Sequence, residues 1–391
     1  TGLTWRFYIL FFLSWASVNG ILSTGDIFNL YVFYEIFSVS AYLMVAFSIT
    51  EWQAIEAGFK YLVFGTVGAL FFLMGTAFLF MTTGSLNLAK ISEALVSVPS
   101  LAVAIPAGSF FIALSIKAGA FPSHFWLPDA HSSAKTVVSA LLSGVLIMAS
   151  VYVMIRLFSL FFLALKPEIF SLMLLTGSLS LLIGHVMAFR QEDIKRLLAY
   201  STVAHIGYIL IGIGCASPAG FSAAIFHSFN HMAAKMGLFL TAGILSHVAG
   251  TRNISELQGS GWHFPMVTAF FALFAAVLIG VPPLNGFMSK WFLTLACVER
   301  GQFIPAVLLI VGAIISSGYY LRILVILFSA KETAKAVEGK PLLTFLAVTF
   351  LAALCIYLSL LPLFPGFTEN LNILGSWIMN VSGYTGLVLL P

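Results

Sequence analysis

The sequence predicts an all-α, polytopic membrane protein of about eleven transmembrane helices, arranged as two inverted five-helix repeats with two broken helices. Three observations predict it. Hydrophobic residues make up 60% of the 391 residues and charged residues only 8%, against roughly 25% charged in a soluble domain. Apolar runs of about 20 residues recur from end to end, each long enough to cross a hydrocarbon core of about 30 Å as a helix. Two of these runs, five apart in order, carry a lysine beside prolines and glycines.

The runs fall at 5–23, 27–49, 60–83, 101–121, 136–165, 169–189, 194–216, 219–248, 265–297, 303–329 and 341–364. The stretch 371–390, with Gly375, Gly383 and Gly386, reads as a twelfth span, an interfacial helix or a contact with a neighbouring subunit. No linker or low-complexity tract divides the chain, so 1–391 reads as one membrane domain: a first repeat over 1–165, a second over 166–330, and C-terminal helix or helices over 331–391. Cys215, Cys297 and Cys355 lie in or near apolar helices without metal-ligand spacing, which supports neither a disulfide framework nor a thiolate metal site. The chain starts with Thr and shows no cleavable signal pattern, so its first residue need not be the native start.

Lysine and arginine outside the spans set the topology. One side holds Arg6, Lys60, Lys135, Arg190, Lys195, Arg196, Arg252, Lys331, Lys335 and Lys340, and the other only Lys90, Lys166 and Arg300. The first side is expected to be cytoplasmic, with the N-terminus inside a cell membrane. The net charge of +4 expresses this asymmetry and is no sign of nucleic-acid binding.

The fourth run carries Lys117 followed by Gly119 and Pro122, and the ninth carries Pro282, Pro283 and Gly286 followed by Lys290. Proline removes a backbone donor and clashes with the preceding turn, so both helices are expected to break. Broken backbone persists at membrane depth only where protein or water covers it. Interrupted helices in corresponding positions of two halves point to a transport pathway built from inverted repeats.

Ionisable residues inside the spans mark that pathway. Glu35, in Tyr31-Val-Phe-Tyr-Glu-Ile-Phe-Ser38, costs at least about 2.5 kcal/mol in lipid unless partnered, so it is expected to face the bundle interior. Lys117, Lys235 and Lys290 are in the same position, and burial favours the uncharged amine. A Glu35–Lys117 pair would hold the lysine charged, and its separation would favour loss of the proton. The competing reading is a set of ion pairs that only fix helix register. Lys60, near the start of the third run, can snorkel to the surface, so it reads either as a structural residue or as an entry or support position of the pathway.

His227, His231 and Lys235 recur at four-residue spacing and line one helical face. Histidine titrates near neutral pH, so the row is placed to relay protons between the two breaks. The His-x-x-x-His spacing also allows a metal, although no third ligand is obvious. His124, Asp129 and His131 form either an access path or a satisfied loop network, and Asp26 is a further candidate for access or support. Arg190-Gln-Glu-Asp-Ile-Lys-Arg196 reads as a loop with helix-start acids at Glu192 and Asp193.

Four stretches carry a resemblance: Thr24-Gly-Asp-Ile-Phe-Asn-Leu-Tyr-Val-Phe-Tyr-Glu35; Lys117-Ala-Gly-Ala-Phe-Pro-Ser-His-Phe-Trp-Leu-Pro-Asp-Ala-His131; Gln191-Glu-Asp-Ile-Lys-Arg-Leu-Leu-Ala-Tyr-Ser201 with His205-Ile-Gly-Tyr208; and Pro282-Pro-Leu-Asn-Gly-Phe-Met-Ser-Lys290. With them, nearly the whole chain resembles the antiporter-like subunits of Mrp-type sodium/proton antiporters, respiratory complex I and membrane-bound hydrogenases, and looks most like the Mrp D-type branch. The resemblance implies a fourteen-helix fold with two inverted five-helix repeats. In it a glutamate pairs with a lysine on the first broken helix, and a central polar axis leads to a lysine on the second. Those roles fall on Glu35, Lys117 and Lys290, with His227, His231 and Lys235 on the connecting helix. It further implies other integral membrane subunits as partners and protons or sodium as the transported ion; no cofactor-binding sequence occurs in the chain, which reads as a subunit without catalytic chemistry of its own, in an antiporter or a redox-driven translocase. The family has about three more helices before its glutamate, which are either missing here or supplied as a separate polypeptide.

Two departures stand out. Gly144-Val-Leu-Ile-Met-Ala-Ser-Val-Tyr152 offers Met148 where the family usually has a lysine, and Ser132, Ser133, Lys135 and Val137 replace the family's prolines and glutamate after Asp-Ala-His. Besides an ion-translocating subunit, two rival functions therefore stand: a structural subunit with a degenerate path, and an intramembrane metalloenzyme using His227 and His231.

Overall fold

Hydrocarbon offers no partner to a peptide N–H or C=O, so each apolar run closes its hydrogen bonds on itself as a helix. The computed structural model describes residues 4–161, 164, 167–329 and 342–388; Lys166, Lys331, Lys335 and Lys340 of the charge tally lie outside them. In chain order the helices are α1 Thr4–Ser23, α2 Ile27–Val45, α3 Trp52–Thr83, α4 Leu88–Leu95, α5 Ser100–Ala118, α6 Trp126–Ser133 and α7 Thr136–Leu141. A π-helical turn, Leu142–Leu146, carries α7 into α8 Ile147–Leu160. There follow α9 Pro167–Phe189, α10 Ile194–Gly214, α11 Pro218–Ala249, α12 Ser260–His263, α13 Pro265–Ile279, α14 Asn285–Glu299, α15 Phe303–Phe328, α16 Leu342–Leu360, α17 Phe367–Ile378 and α18 Val381–Val388.

Among the described residues ten helical segments are long and apolar enough to cross a membrane. The remaining expected span, 265–297, is the broken pair α13 and α14. The chain is thus a multi-pass membrane protein.

Several boundaries differ from the sequence expectation. The third span begins at Trp52, not 60, because Gln53, Glu56 and Lys60 extend the helix as a polar first stretch beyond the apolar run. Lys60 therefore sits in the third turn. The second span ends at Val45, where the N–H of Ala46 closes on Tyr42 O. The described part of the stretch 371–390, up to Val388, holds two short helices, α17 of 12 residues and α18 of 8, and Gly375 of α17 seats against Pro218 at the start of α11.

Both expected breaks are present. α5 ends at Gly119 with φ 71° and α13 ends at Gly280 with φ 88°, the left-handed conformation that lets a chain leave a helix without a Cβ clash. The Phe121–Pro122 and Pro282–Pro283 peptide bonds, one in each break, are cis.

Further features recur in pairs. α3 and α11 are each 32 residues long and end on left-handed glycines, Gly84 and Gly250. A two-residue bridge follows each, Asp26 with Asn87 and Asp193 with Asn253. In each bridge both side chains cap a helix: Asp26 caps α2, Asn87 caps α4, Asp193 caps α10, and Asn253 caps the single turn Ile254–Glu256.

The apolar stretch of α10 is buried throughout, whereas that of α1 is only 22% buried, so α10 is the axis of the bundle. Small residues let α9 approach it: a Cβ on Gly184 would lie 2.5 Å from Ala204 N, and one on Gly177 would lie 2.9 Å from Gly207 O. Close backbone contact replaces the hydrophobic drive that lipid removes. Replacing Gly184 by Leu is expected to force α9 off α10 and lower stability by about 1–3 kcal/mol, measured as an earlier thermal unfolding transition of the detergent-solubilised protein.

Candidate functional site

At the first break, Lys117 occupies the penultimate position of α5 and points across to α2. Its Nζ donates to Glu35 Oε1 at 3.2 Å and to Ser38 Oγ at 2.8 Å, and lies 4.3 Å from the Tyr34 ring centre. The lysine is buried, but the Glu35 side chain is 32% exposed, at the edge of the outward stripe Phe28, Val32, Ile36, Val39 and Leu43. Tyr34 hydrogen-bonds through its hydroxyl to Ser150 on α8. Met148, two residues earlier, is buried and apolar.

Toward the middle, Lys235 of α11 is fully buried and donates to Leu198 O at 2.9 Å, to Ser201 Oγ and, at 3.5 Å, to Tyr320 OH. Ser201 and Tyr320 are themselves joined at 3.2 Å. Thr202, next to Ser201, meets Ser143 in the π-helical turn at 2.9 Å. A hydroxyl pair thus bridges the α7–α8 span to α10 one turn before Met148. His131, from α6, is fully buried and stacked on Phe239.

At the second break, Lys290 of α14 donates to Leu278 O at 2.7 Å and Ile279 O at 3.0 Å. These carbonyls are freed because α13 stops there, and they carry the negative end of its dipole. The ammonium also lies 4.6 Å from the Tyr208 ring centre. Beside it Ser289 Oγ meets His227 Nδ1 at 2.9 Å, and His227 Nε2 meets His205 Nδ1 at 3.0 Å. Both ring nitrogens of His227 are thereby engaged by protein groups. The His231 ring is 5.2 Å from His205, and His185 Nδ1 meets Tyr319 OH at 3.2 Å.

The remaining candidates separate by role. Asp129 binds Lys60 Nζ and Arg196 Nη1, both at 2.8 Å, and Lys60 also holds Glu56 at 2.7 Å. Lys195 donates to Ala134 O at 3.0 Å, Arg252 reaches Ser132 O and Asp193, and Arg322 pairs with Glu192. Basic residues expected on one side therefore gather at one end of the bundle, around α6. Lys60 is ion-paired there, and Asp129 belongs to this cluster while His131 lies inside. His124 is buried against Phe125. Asp26 accepts from Phe28 N and Asn29 N at 2.9 and 2.8 Å as the cap of α2, which is support for the fold.

Sequence reading missed His185, His205, Ser201, Tyr208, Ser289, Tyr319 and Tyr320 as site residues. Ser201, His205, Tyr208 and Ser289 lie inside the stretches that carry the family resemblance, and His185 stands as a lone histidine in an apolar run, which are the signals the sequence offers for them.

The chain matches the family model described as NADH:quinone oxidoreductase/Mrp antiporter, transmembrane, over residues 24–317. It is 37% identical to the N-type subunit of the NADH-quinone oxidoreductase of Desulforudis audaxviator over 81% of this chain and 64% of that protein. It is 32% identical to the D-type subunit of the Na(+)/H(+) antiporter of Alkalihalophilus pseudofirmus over 78% of this chain and 62% of that protein. The chain thus spans less than two thirds of the length of these two relatives. Among solved structures it is similar to a chain of the archaeal membrane-bound sulfane sulfur reductase, a respiratory membrane complex, with TM-score 0.88, 30% identity, and coverage of 96% of this chain and 77% of that one.

Asp129→Asn removes the acceptor shared by two half-exposed cations. Stability is expected to fall by about 1 kcal/mol, and the difference from the parent chain to shrink in about 1 M salt when both are unfolded thermally.

Proposed function

Because the chain belongs to the NADH:quinone oxidoreductase/Mrp antiporter transmembrane family, we propose that it moves protons or cations across a cell membrane as one subunit of a larger membrane complex. The observation that carries this reading is the placement of two buried lysines at the two helix breaks, each held by a different kind of negative partner. Lys117 faces a carboxylate 3.2 Å away. Lys290 faces the carbonyl end of α13.

Between them, buried hydroxyl and imidazole groups supply the intermediate steps. Lys290 exchanges its proton through Ser289, His227 and His205 toward His231 and Lys235, and Lys235 reaches Ser143 through Ser201 and Thr202. Imidazole nitrogens of His131 and His231 without a protein hydrogen-bond partner are sites where water would complete the line. Separation of Glu35 from Lys117 leaves a lone buried ammonium, which favours release of the proton toward this axis. The Ser143–Thr202 pair offers a hydroxyl route past Met148.

The paired features of the fold support reading 1–165 and 166–330 as two five-helix repeats of opposite orientation. With the basic end of the bundle on the cytoplasmic side, α1 begins inside. Other integral membrane subunits are the expected partners, and their identity separates the driving forces: iron-sulfur or nickel proteins mean a redox pump, small hydrophobic subunits alone an antiporter.

A second reading, a structural subunit with a disabled path, draws on buried Met148. Ion flux into vesicles containing the assembled complex distinguishes the two. Lys290→Ala and Glu35→Ala are each expected to lower flux roughly tenfold or more, about 1.4 kcal/mol on the barrier, and full activity in both would remove the translocation reading. Met148→Lys is expected to leave flux near the parent value, whereas a gain from a silent parent would favour the disabled path.

A further inference from the structure

Cys215 and Cys297 are 82 positions apart, and their spacing gave no reason to pair them. The fold brings their Sγ atoms to 3.4 Å. Cys215 caps the end of α10 and Cys297 stands in the last turn of α14, 2% and 0% exposed. The two helix ends are already docked, since Arg300 Nε, just past the end of α14, donates to Cys215 O at 3.2 Å.

The register of the two helices is matched as well. Tyr208 and Lys290 touch across α10 and α14, and each lies seven residues before its helix's cysteine. Two turns separate the contacts on both helices, so all four residues fall on the facing sides. An S–S bond is roughly 2.0 Å long, so closing it requires an approach of about 1.4 Å. A helix cap and a terminal turn supply that movement more readily than two helix interiors would.

We propose that Cys215 and Cys297 form an intramolecular disulfide site that clamps α14 to α10 two turns from Lys290. The oxidant is a disulfide, of a small molecule or of a thiol oxidoreductase. One cysteine thiolate attacks the donor S–S bond and expels the first donor thiol. The second thiolate then attacks the mixed disulfide, makes the Sγ–Sγ bond and expels the second. The two cysteine protons and two electrons leave with the two donor thiols. Both helix ends lie opposite the basic end of the bundle, so under the orientation proposed above, on which this step rests, they face the oxidising side of the membrane.

The test uses the assembled complex in its native membranes, denatured directly into N-ethylmaleimide and mapped by mass spectrometry. The expected result is a linked Cys215–Cys297 peptide pair with Cys355 alone alkylated, converting to three alkylated cysteines after dithiothreitol. Three alkylated cysteines that persist after incubation with excess oxidised glutathione would overturn the proposal, as would a linked pair that includes Cys355. Cys215→Ser should abolish the linked pair, and Cys355→Ser should leave it intact. Because the readout is a mass, it stands or falls separately from ion flux.

Discussion

An ionisable or unpaired polar group inside hydrocarbon is too costly to leave alone, and the arrangement of this bundle follows from meeting that cost with partners from the protein. Lys117, Lys235 and Lys290 meet it in three ways. Lys117 takes a carboxylate, Lys235 takes a backbone carbonyl and two hydroxyls, and Lys290 takes the open end of a helix. The last explains why a lysine and a helix break occur together. A break frees carbonyls that need donors, and a buried ammonium needs acceptors. Each solves the other's problem.

The same constraint sets the packing around the axis. Beyond its first turn α10 is enclosed, and its polar side chains find partners on neighbouring helices: Ser201 with Tyr320, Thr202 with Ser143, His205 with His227. Glycines on α9 and α10 bring the backbones close enough that no lipid intervenes. Several charges that are not enclosed this way meet at one end, where Asp129 binds cations from α3 and α10 and ties α6 to both.

Glu35 is the least enclosed member of the site. Its partner is buried while its own side chain remains a third exposed beside an apolar outward stripe. A carboxylate so placed is held by its lysine on one side only, and this asymmetry makes the pair separable where a fully enclosed one would be fixed. The second break has no such carboxylate among the described residues close to Lys290, so its lysine is anchored to rigid backbone. The two lysines are therefore held with unequal stiffness.

Composition and run length determined the membrane-spanning helices of this protein, and the prolines and glycines at 119–122 and 282–286 determined where two of them break, because both effects are local to the chain. Glu35 with Lys117 was legible because few acids occur inside the runs, which leaves a buried lysine little choice of partner. Tertiary structure alone decided the rest. It set Lys290 on the carbonyls of α13 and joined His205, His227 and Ser289. It also put Cys215 against Cys297. The histidine, serine and cysteine pairings link residues 22 to 82 positions apart, and only the packing of helices against one another, which no local pattern encodes, brings them within hydrogen-bonding or bonding distance.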